Sequence, residues 1–277
     1  DFLYPIERYV NAFTRTHLCT ARADLTPNAD TCRDANGVRQ DVVQNPLFYG
    51  ADGSIRSRSL VSVLGIVGVP WQDLNADGPS ASSLHYKGPS ALAADATWNA
   101  IIGDPAASPP RPPTDGLMVE SRAPRTGSDI NGVPIPGPKT PIAANSAING
   151  HDWSNTVGDD LMYACIFALT APRDCLKVEN IPPGSPTPSS GCDCGSDSNP
   201  DGDNPLCEDP TTGTYGNTQY FAKGYPGTRE LSLLKALGSQ GLTASVCPKN
   251  LNDVTRNDYG YRPAVDLLID ALKQTVP

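Results

Sequence analysis

Residues 197–208, DSNPDGDNPLCE, place oxygen-bearing side chains at the spacing of a calcium-binding loop. Calcium takes roughly six to eight oxygen ligands, which such a loop supplies from alternate positions and from a closing bidentate glutamate. Gly202 permits the sharp turn that the loop needs at its middle. The sequence therefore predicts a metal site whose ligands are the side chains of Asp197, Asn199 and Asp201, the main-chain carbonyl of Asp203 and both carboxylate oxygens of Glu208.

Other features of this stretch favour an alternative, a polar surface loop held by cysteines. Pro200 and Pro205 stiffen the chain, and no helical pattern flanks it, so a helix–loop–helix calcium site is not expected. A second stretch, DLNADG at residues 73–78, repeats only the first half of the spacing, and Leu84 stands where the bidentate carboxylate is required. For that second stretch we predict an Asn/Asp-rich turn rather than a calcium site.

One histidine stands beside a carboxylate in a way that suggests catalysis. His151 and Asp152, close to Asp159 and Asp160, could pair a general base with an orienting carboxylate. The sequence lacks G-x-S-x-G, H-E-x-x-H, C-x-x-C and a glycine-rich phosphate loop, so no nucleophile is indicated. We therefore expect a binding protein rather than an enzyme, and a secreted hydrolase that uses His151 and nearby carboxylates remains the alternative.

The overall charge limits the partners. A net charge of −9 argues against nucleic acid, because phosphate binding requires a basic surface. The longest apolar run, residues 60–71, is too short to cross a membrane as a helix. Trp71, Trp98 and Trp153 could line a site for a sugar or a peptide, although aromatic side chains of this kind also fill cores.

Helices and strands that could position these residues alternate along the chain. Apolar residues at helical spacing predict helices that begin near Pro5, Thr228 and Pro263; the last one carries its apolar face on Val265, Leu268, Ile269 and Leu272. Runs rich in β-branched residues predict buried strands at 60–69 and 242–247. This order is typical of an α/β protein with a mostly parallel open sheet flanked by helices.

The remaining segments are predicted from weaker patterns. We expect one helix over 91–102 capped by Ser90, an edge strand at 117–120 and a strand at 161–169. Pro-rich residues 104–142 and the Cys-rich segment 172–215 are predicted to be irregular. The chain, residues 1–277, is expected to form a single domain.

Eight cysteines in such a sequence indicate disulfides, and therefore an oxidising, extracytoplasmic compartment such as the periplasm, the outer surface or the medium. Cys19 and Cys32 bracket a short polar loop and are the pair for which local closure is easiest. Zinc is the weaker alternative, because Cys192-Asp-Cys194 has the wrong spacing for a structural zinc site. Helical periodicity begins almost at the first residue, so we expect a preceding portion of the same precursor.

Several stretches together resemble a known family: DFLYPIERYVNA, LVSVLGIVGVPWQDL, NGHDWSNTVGDDLMYACIFAL and YPGTRELSLLKALGSQGLTASVCP. They are similar to the C-terminal part of secreted or lipid-anchored bacterial proteins with a von Willebrand factor A-like fold. The resemblance implies that residues 60–69 form a central strand and that residues 228–273 form the closing helix, strand and helix. We expect the partner to be another cell-surface protein or the preceding portion of the same precursor. The D-x-S-x-S cation motif of such folds is absent, since Arg56 occupies its last position in the nearest match, DGSIRS.

If the 197–208 loop binds calcium, chelation should expose the peptide bonds near Gly202 to proteases and lower the melting temperature modestly. Binding to the folded state alone adds about 2.7 kcal/mol of stability when free calcium is about a hundredfold above Kd. Glu208→Gln should reproduce most of the loss, because it weakens the bidentate ligand at nearly constant size. Thermal unfolding and limited proteolysis with and without calcium check this; unchanged curves for the wild type would show an acidic turn without a metal.

Overall fold

The computed structural model describes residues 4–19, 42–119, 163–177, 193–194 and 205–275. The α-helices there are α1 (Ile6–Thr14), α2 (Trp71–Leu74), α3 (Pro89–Ala94), α4 (Thr97–Ile101), α5 (Thr228–Leu237) and α6 (Arg262–Thr275). The strands are β1 (His17–Cys19), β2 (Val42–Gln44), β3 (Val63–Val67), β4 (Cys165–Asp174), β5 (Thr218–Gly224) and β6 (Gly241–Ser245). No helix within these ranges is long and apolar enough to cross a membrane.

The described strands form three two-stranded sheets, β1–β2, β3–β6 and β4–β5. Only β3–β6 is parallel; the other two pairs are antiparallel. The mixed α/β class with a small parallel sheet flanked by helices is therefore confirmed. The single, mostly parallel sheet of the sequence-based prediction is not what these strands form.

The parallel pair carries the main core on one of its faces. Val63 and Val67 pack against a cluster that includes Leu231 and Leu234 of α5. Gly65 lies directly under α5, where a Cβ atom would come within 2.5 Å of Leu234 Cδ1. The rest of the cluster comes mainly from α2, α3, α4 and their flanking turns (Val69, Leu74, Leu92, Trp98, Ala100, Ile101, Ile102, Met118 and Ala164).

Two predicted strands are confirmed, and each is shorter than expected. Residues 58–60 form a 3-10 turn, and Pro70 ends the apolar run because it lacks an N–H donor. The predicted strand at 161–169 is confirmed for its described part, since β4 begins at Cys165. The strand β5 was not predicted. The segment 172–215 was predicted to be irregular throughout, but β4 extends into it as far as Asp174 and Pro205–Cys207 form a 3-10 turn.

The helices that begin near Pro5, Thr228 and Pro263 are confirmed, but the helix expected over 91–102 is not continuous. It is split between α3 and α4, because Asp95 leaves helical geometry and its carboxylate accepts the Thr97 amide at 2.9 Å. Ser90 lies inside α3 instead of capping it, and Thr228 is the first residue of α5 rather than its cap. The predicted edge strand at 117–120 is wrong, because Gly116–Met118 form a 3-10 turn that buries Met118.

The amphipathic face predicted for the last helix is only partly right, because Leu268 is half-buried but the other three predicted residues are exposed. Val265, Ile269 and Leu272 are 51, 42 and 42% exposed, whereas Ala264 is fully buried. Leu267 and Ala271, on the same side as Ala264, are half-buried. The helix therefore packs on small and medium side chains and leaves much of its most apolar stripe at the surface.

All six cysteines within the described residues are in disulfides (Cys19, Cys165, Cys175, Cys194, Cys207 and Cys247). Cys165 pairs with Cys247 across 82 residues, and Cys194 pairs with Cys207 across 13. This confirms the prediction of disulfide bonds and is typical of proteins from oxidising compartments. Cys32 lies outside the described residues, so its pairing with Cys19 stays a prediction.

Candidate functional site

The carboxyl ends of β3 and β6 meet in a tightly bonded junction. Ser245 Oγ donates to the Val69 carbonyl at 2.5 Å and accepts the Cys247 amide at 3.0 Å. The Ser245 amide in turn donates to the Tyr86 hydroxyl, and burial raises the pKa of Tyr86 to about 12. The Cys165–Cys247 disulfide joins this junction to the start of β4. In open α/β sheets this edge is the usual place for ligands.

The loop that leaves β6 carries a partly buried cation over an indole ring. Lys249 Nζ lies 4.8 Å from the centroid of the Trp71 ring and donates to the Ala81 carbonyl at 2.5 Å. Burial lowers the pKa of the Lys249 ammonium, because the charged form loses hydration. Asp258 and Asp77 act against this lowering of the pKa through their negative charges, but no carboxylate among the described residues lies within salt-bridge distance of Lys249.

A second cation in the same loop is fully engaged. Arg256 donates to both carboxylate oxygens of Asp258, from Nε to Oδ1 at 2.7 Å and from Nη2 to Oδ2 at 2.9 Å, and to the Ser82 carbonyl at 2.6 Å. Asp258 is 3% exposed and also accepts from Asn250 Nδ2 at 3.3 Å. The hydrogen bonds from Arg256 lower the pKa of Asp258 to about 2. This pair therefore fixes the loop and leaves Lys249 as the cation open to a ligand.

These side chains surround a polar cleft of about 310 Å³, lined by Ser82, Lys249, Asn250, Asn252, Arg256 and Asp258. The volume suits one side chain or a chain terminus rather than a polymer. An ammonium with other hydrogen-bond donors beside it can bind a carboxylate. The negative charge of a carboxylate stabilises a partly buried ammonium, which has lost some of its hydration. The lining combines two cations, one carboxylate, two amide side chains and the Ser82 residue, a set that can form charge-assisted hydrogen bonds with a ligand.

The sequence analysis predicted a binding role for Trp71, whose ring contacts Lys249, and missed the residues that line the cleft. Residues 249–258, KNLNDVTRND, directly follow the predicted strand 242–247, and polar residues after a parallel strand are a usable signal for a site. Trp98 is 8% exposed and belongs to the core, so it lines no site. Trp153 lies outside the described residues, and so do His151 and Asp152; the hydrolase alternative stays a prediction.

The predicted calcium loop is described only at its ends. The Cys194–Cys207 disulfide, with Cα atoms 5.7 Å apart, closes it, and both cysteines are buried in a small cluster with Leu206. Glu208 follows and forms an isolated antiparallel bridge with Tyr215. Four predicted ligands, Asp197, Asn199, Asp201 and Asp203, lie outside the described ranges. Within those ranges no group of three potential ligands is placed to hold a metal, so calcium stays a prediction.

The second acidic stretch, residues 73–78, forms the predicted turn from Asn75 onward, and its first two residues end α2. The side-chain amide of Asn75 donates to the carbonyls of Gly78 and Ser83 at 2.8 and 2.9 Å, and its oxygen accepts the His85 amide at 3.0 Å. Asp77 is bound to the His85 ring at 2.5 Å. The side chain of Asn75 is therefore used to hold the turn together and is not turned outward as a metal ligand would be.

The bond between Arg256 and Asp258 predicts a specific loss of stability in acid. A carboxyl whose folded pKa is near 2 contributes stability above its unfolded value of about 3.8, and this contribution disappears as the pH falls through that window. The contribution is about 2 kcal/mol. Urea unfolding between pH 5 and pH 2 should show that Asp258→Asn costs about that much at pH 5 and little at pH 2. Asp270→Asn, at an exposed helix position, is the control; a pH-independent cost for Asp258→Asn would contradict the assignment.

Comparison of the chain with protein-family models, with curated proteins and with solved structures gives no match in any of the three. The resemblance to von Willebrand factor A-like proteins therefore stays a prediction.

Proposed function

We propose that the protein is an extracytoplasmic, disulfide-stabilised binding and assembly module of the bacterial cell surface. The cleft beside Lys249 binds a carboxylate of another cell-surface protein, either an Asp or Glu side chain or a chain terminus. The observation that carries the proposal is the Lys249 ammonium, which lies partly buried over Trp71 without a carboxylate in salt-bridge distance among the described residues. Burial disfavours the charged form of Lys249, and a bound carboxylate offsets this because its negative charge stabilises the ammonium.

The rigidity of the loop supports a role in binding. Asn250 Oδ1 accepts the amides of Asn252 and Asp253, and Arg262 Nη1 donates to the carbonyls of Val254 and Arg256. These bonds hold the loop before a ligand arrives, so little conformational freedom is lost on binding. The oxidised cysteines support the extracytoplasmic location, because such bonds persist where thiols are not kept reduced.

Calcium is proposed as a structural ion of the 197–208 loop. The Cys194–Cys207 disulfide supports this, because it brings the two ends of the loop together and so reduces the entropy that a metal must overcome. In this role the ion orders the loop and takes no part in the Lys249 cleft. The von Willebrand factor A-like architecture is proposed on the sequence resemblance and on the helices that flank the parallel pair.

A peptide array in which every Glu-containing peptide has a Gln counterpart tests the carboxylate specificity. The wild type should retain a subset of Glu peptides about tenfold more strongly than their Gln partners, since a hydrogen bond to a charged group contributes about 1.5 kcal/mol or more. Lys249→Met should lose this discrimination. Lys273→Met, which removes an exposed cation from α6, should keep it. Equal retention of Glu and Gln peptides by the wild type, or cleavage of a peptide, would contradict the proposal.

A further inference from the structure

A cavity of about 550 Å³ lies between α3 and α6, beside the first residues of β6. Its apolar wall is formed by Leu242, which is 1% exposed, and by the half-buried side chains of Leu267 and Ala271. The volume falls within the range of small-molecule sites, roughly 300 to 1,000 Å³. The cavity shares no lining residue with the Lys249 cleft, so the two are separate sites and neither proposal depends on the other.

The polar part of the lining consists of hydroxyls and amides rather than ions. It comprises Ser59, Ser62, Ser90, Ser239, Tyr86, Gln240 and Gln274. Among the described lining residues only Asp270 is charged, and its carboxylate is bound to Lys273 Nζ at 2.9 Å in an exposed pair. Water screens such a pair and its two charges offset each other, so the cavity offers little attraction to an ion.

Gln240 presents a fixed hydrogen-bond acceptor to this cavity. The residue is 7% exposed, and its Nε2 donates to the carbonyl oxygens of Phe13 and Val61 at 3.0 and 3.1 Å. Carbonyl oxygens can only accept, so they fix the nitrogen on that side of the amide group. Oε1 accepts no hydrogen bond among the described residues, and it is the polar side-chain atom left to face the cavity. An almost buried acceptor of this kind favours a ligand that donates a hydrogen bond to it.

We infer that the cavity binds an uncharged, hydroxyl-rich small molecule of mono- or disaccharide size. One hydroxyl of this ligand donates to Gln240 Oε1, and other hydroxyls exchange hydrogen bonds with the serine side chains of the lining. The C–H face of the sugar ring packs on Leu242, Leu267 and Ala271. An apolar wall combined with a few placed polar groups is the usual construction of a small-molecule site.

The same lining disfavours other classes of ligand. A carboxylate or a phosphate would bring negative charge close to Gln240 Oε1 and Asp270, and the described lining contains no cation to offset it. A wholly apolar ligand would leave Gln240 Oε1 and the serine hydroxyls without partners, at a cost in free energy. An ammonium gains little over a hydroxyl, because Asp270 is already paired with Lys273 and exposed to water.

Titration of the isotope-labelled chain with neutral hexoses and their disaccharides, followed by NMR, tests this inference. At least one of these sugars should shift the backbone amide resonances of Ser239, Leu242 and Ala271. The uronic acid and the amino sugar of the same ring should bind no more tightly than the neutral form. Replacement of one ligand hydroxyl by fluorine, which cannot donate, should weaken binding about tenfold at the position that contacts Gln240, because the acceptor is then left unpaired.

Two variants locate the binding site. Ala271→Phe fills the apolar wall, and Ser90→Trp closes the cavity from an exposed position of α3 without changing that wall, so each should weaken sugar binding about tenfold or more. Ala236→Phe, at an exposed position of α5 outside the lining, is the matched control and should leave the affinity unchanged. Failure of every neutral sugar to shift the three resonances would overturn the inference. Tighter binding of a charged form, or unchanged binding by Ser90→Trp, would also overturn it.

Discussion

The described fold depends on the close crossing of two backbones at the carboxyl end of β3. A Cβ atom at Gly68 would lie 1.5 Å from the Tyr225 carbonyl oxygen, so only a glycine permits this approach. The crossing lets the Gly68 carbonyl bond to Gly227 and directs the chain into α5, whose leucines close the core. Because the obstacle would be main chain rather than a flexible side chain, the structure has little room to relax around a larger residue.

The junction between the carboxyl ends of β3 and β6 determines the geometry of the candidate binding cleft. Ser245 connects the ends of β3 and β6 through its hydroxyl, and the disulfide of Cys247 holds the chain immediately before Lys249. The Arg256–Asp258 pair then fixes the far side of the loop. A cation held in a defined place over an aromatic ring can distinguish ligands by charge, because neither it nor its surroundings must reorganise on binding.

The sequence predicted the parts of the fold that arise from local periodicity. The spacing of Leu231, Leu234 and Leu237 predicts α5, and all three side chains are buried as expected. The predictions were wrong where tertiary contacts decide which side chains are buried. Val265 and Ile269 have the spacing of a buried face, yet α6 packs on Ala264 and half-buried Leu267, and hydrophobic spacing alone does not say which part of a broad apolar face meets the sheet. Lys249 and Asp258 carry no motif; they form a cleft only because the loop after β6 folds back onto Ser82.

The most direct test compares the free energies of unfolding of Gly68→Ala and Gly88→Ala, measured by urea unfolding. A Cβ atom at Gly88 meets nothing within 4 Å, so that variant should stay within about 1 kcal/mol of the wild type. Gly68→Ala should lose about 3 kcal/mol or more, because the added methyl group collides with the Tyr225 backbone. Equal and small effects of the two substitutions would show that the crossing at Gly68 does not hold the fold together.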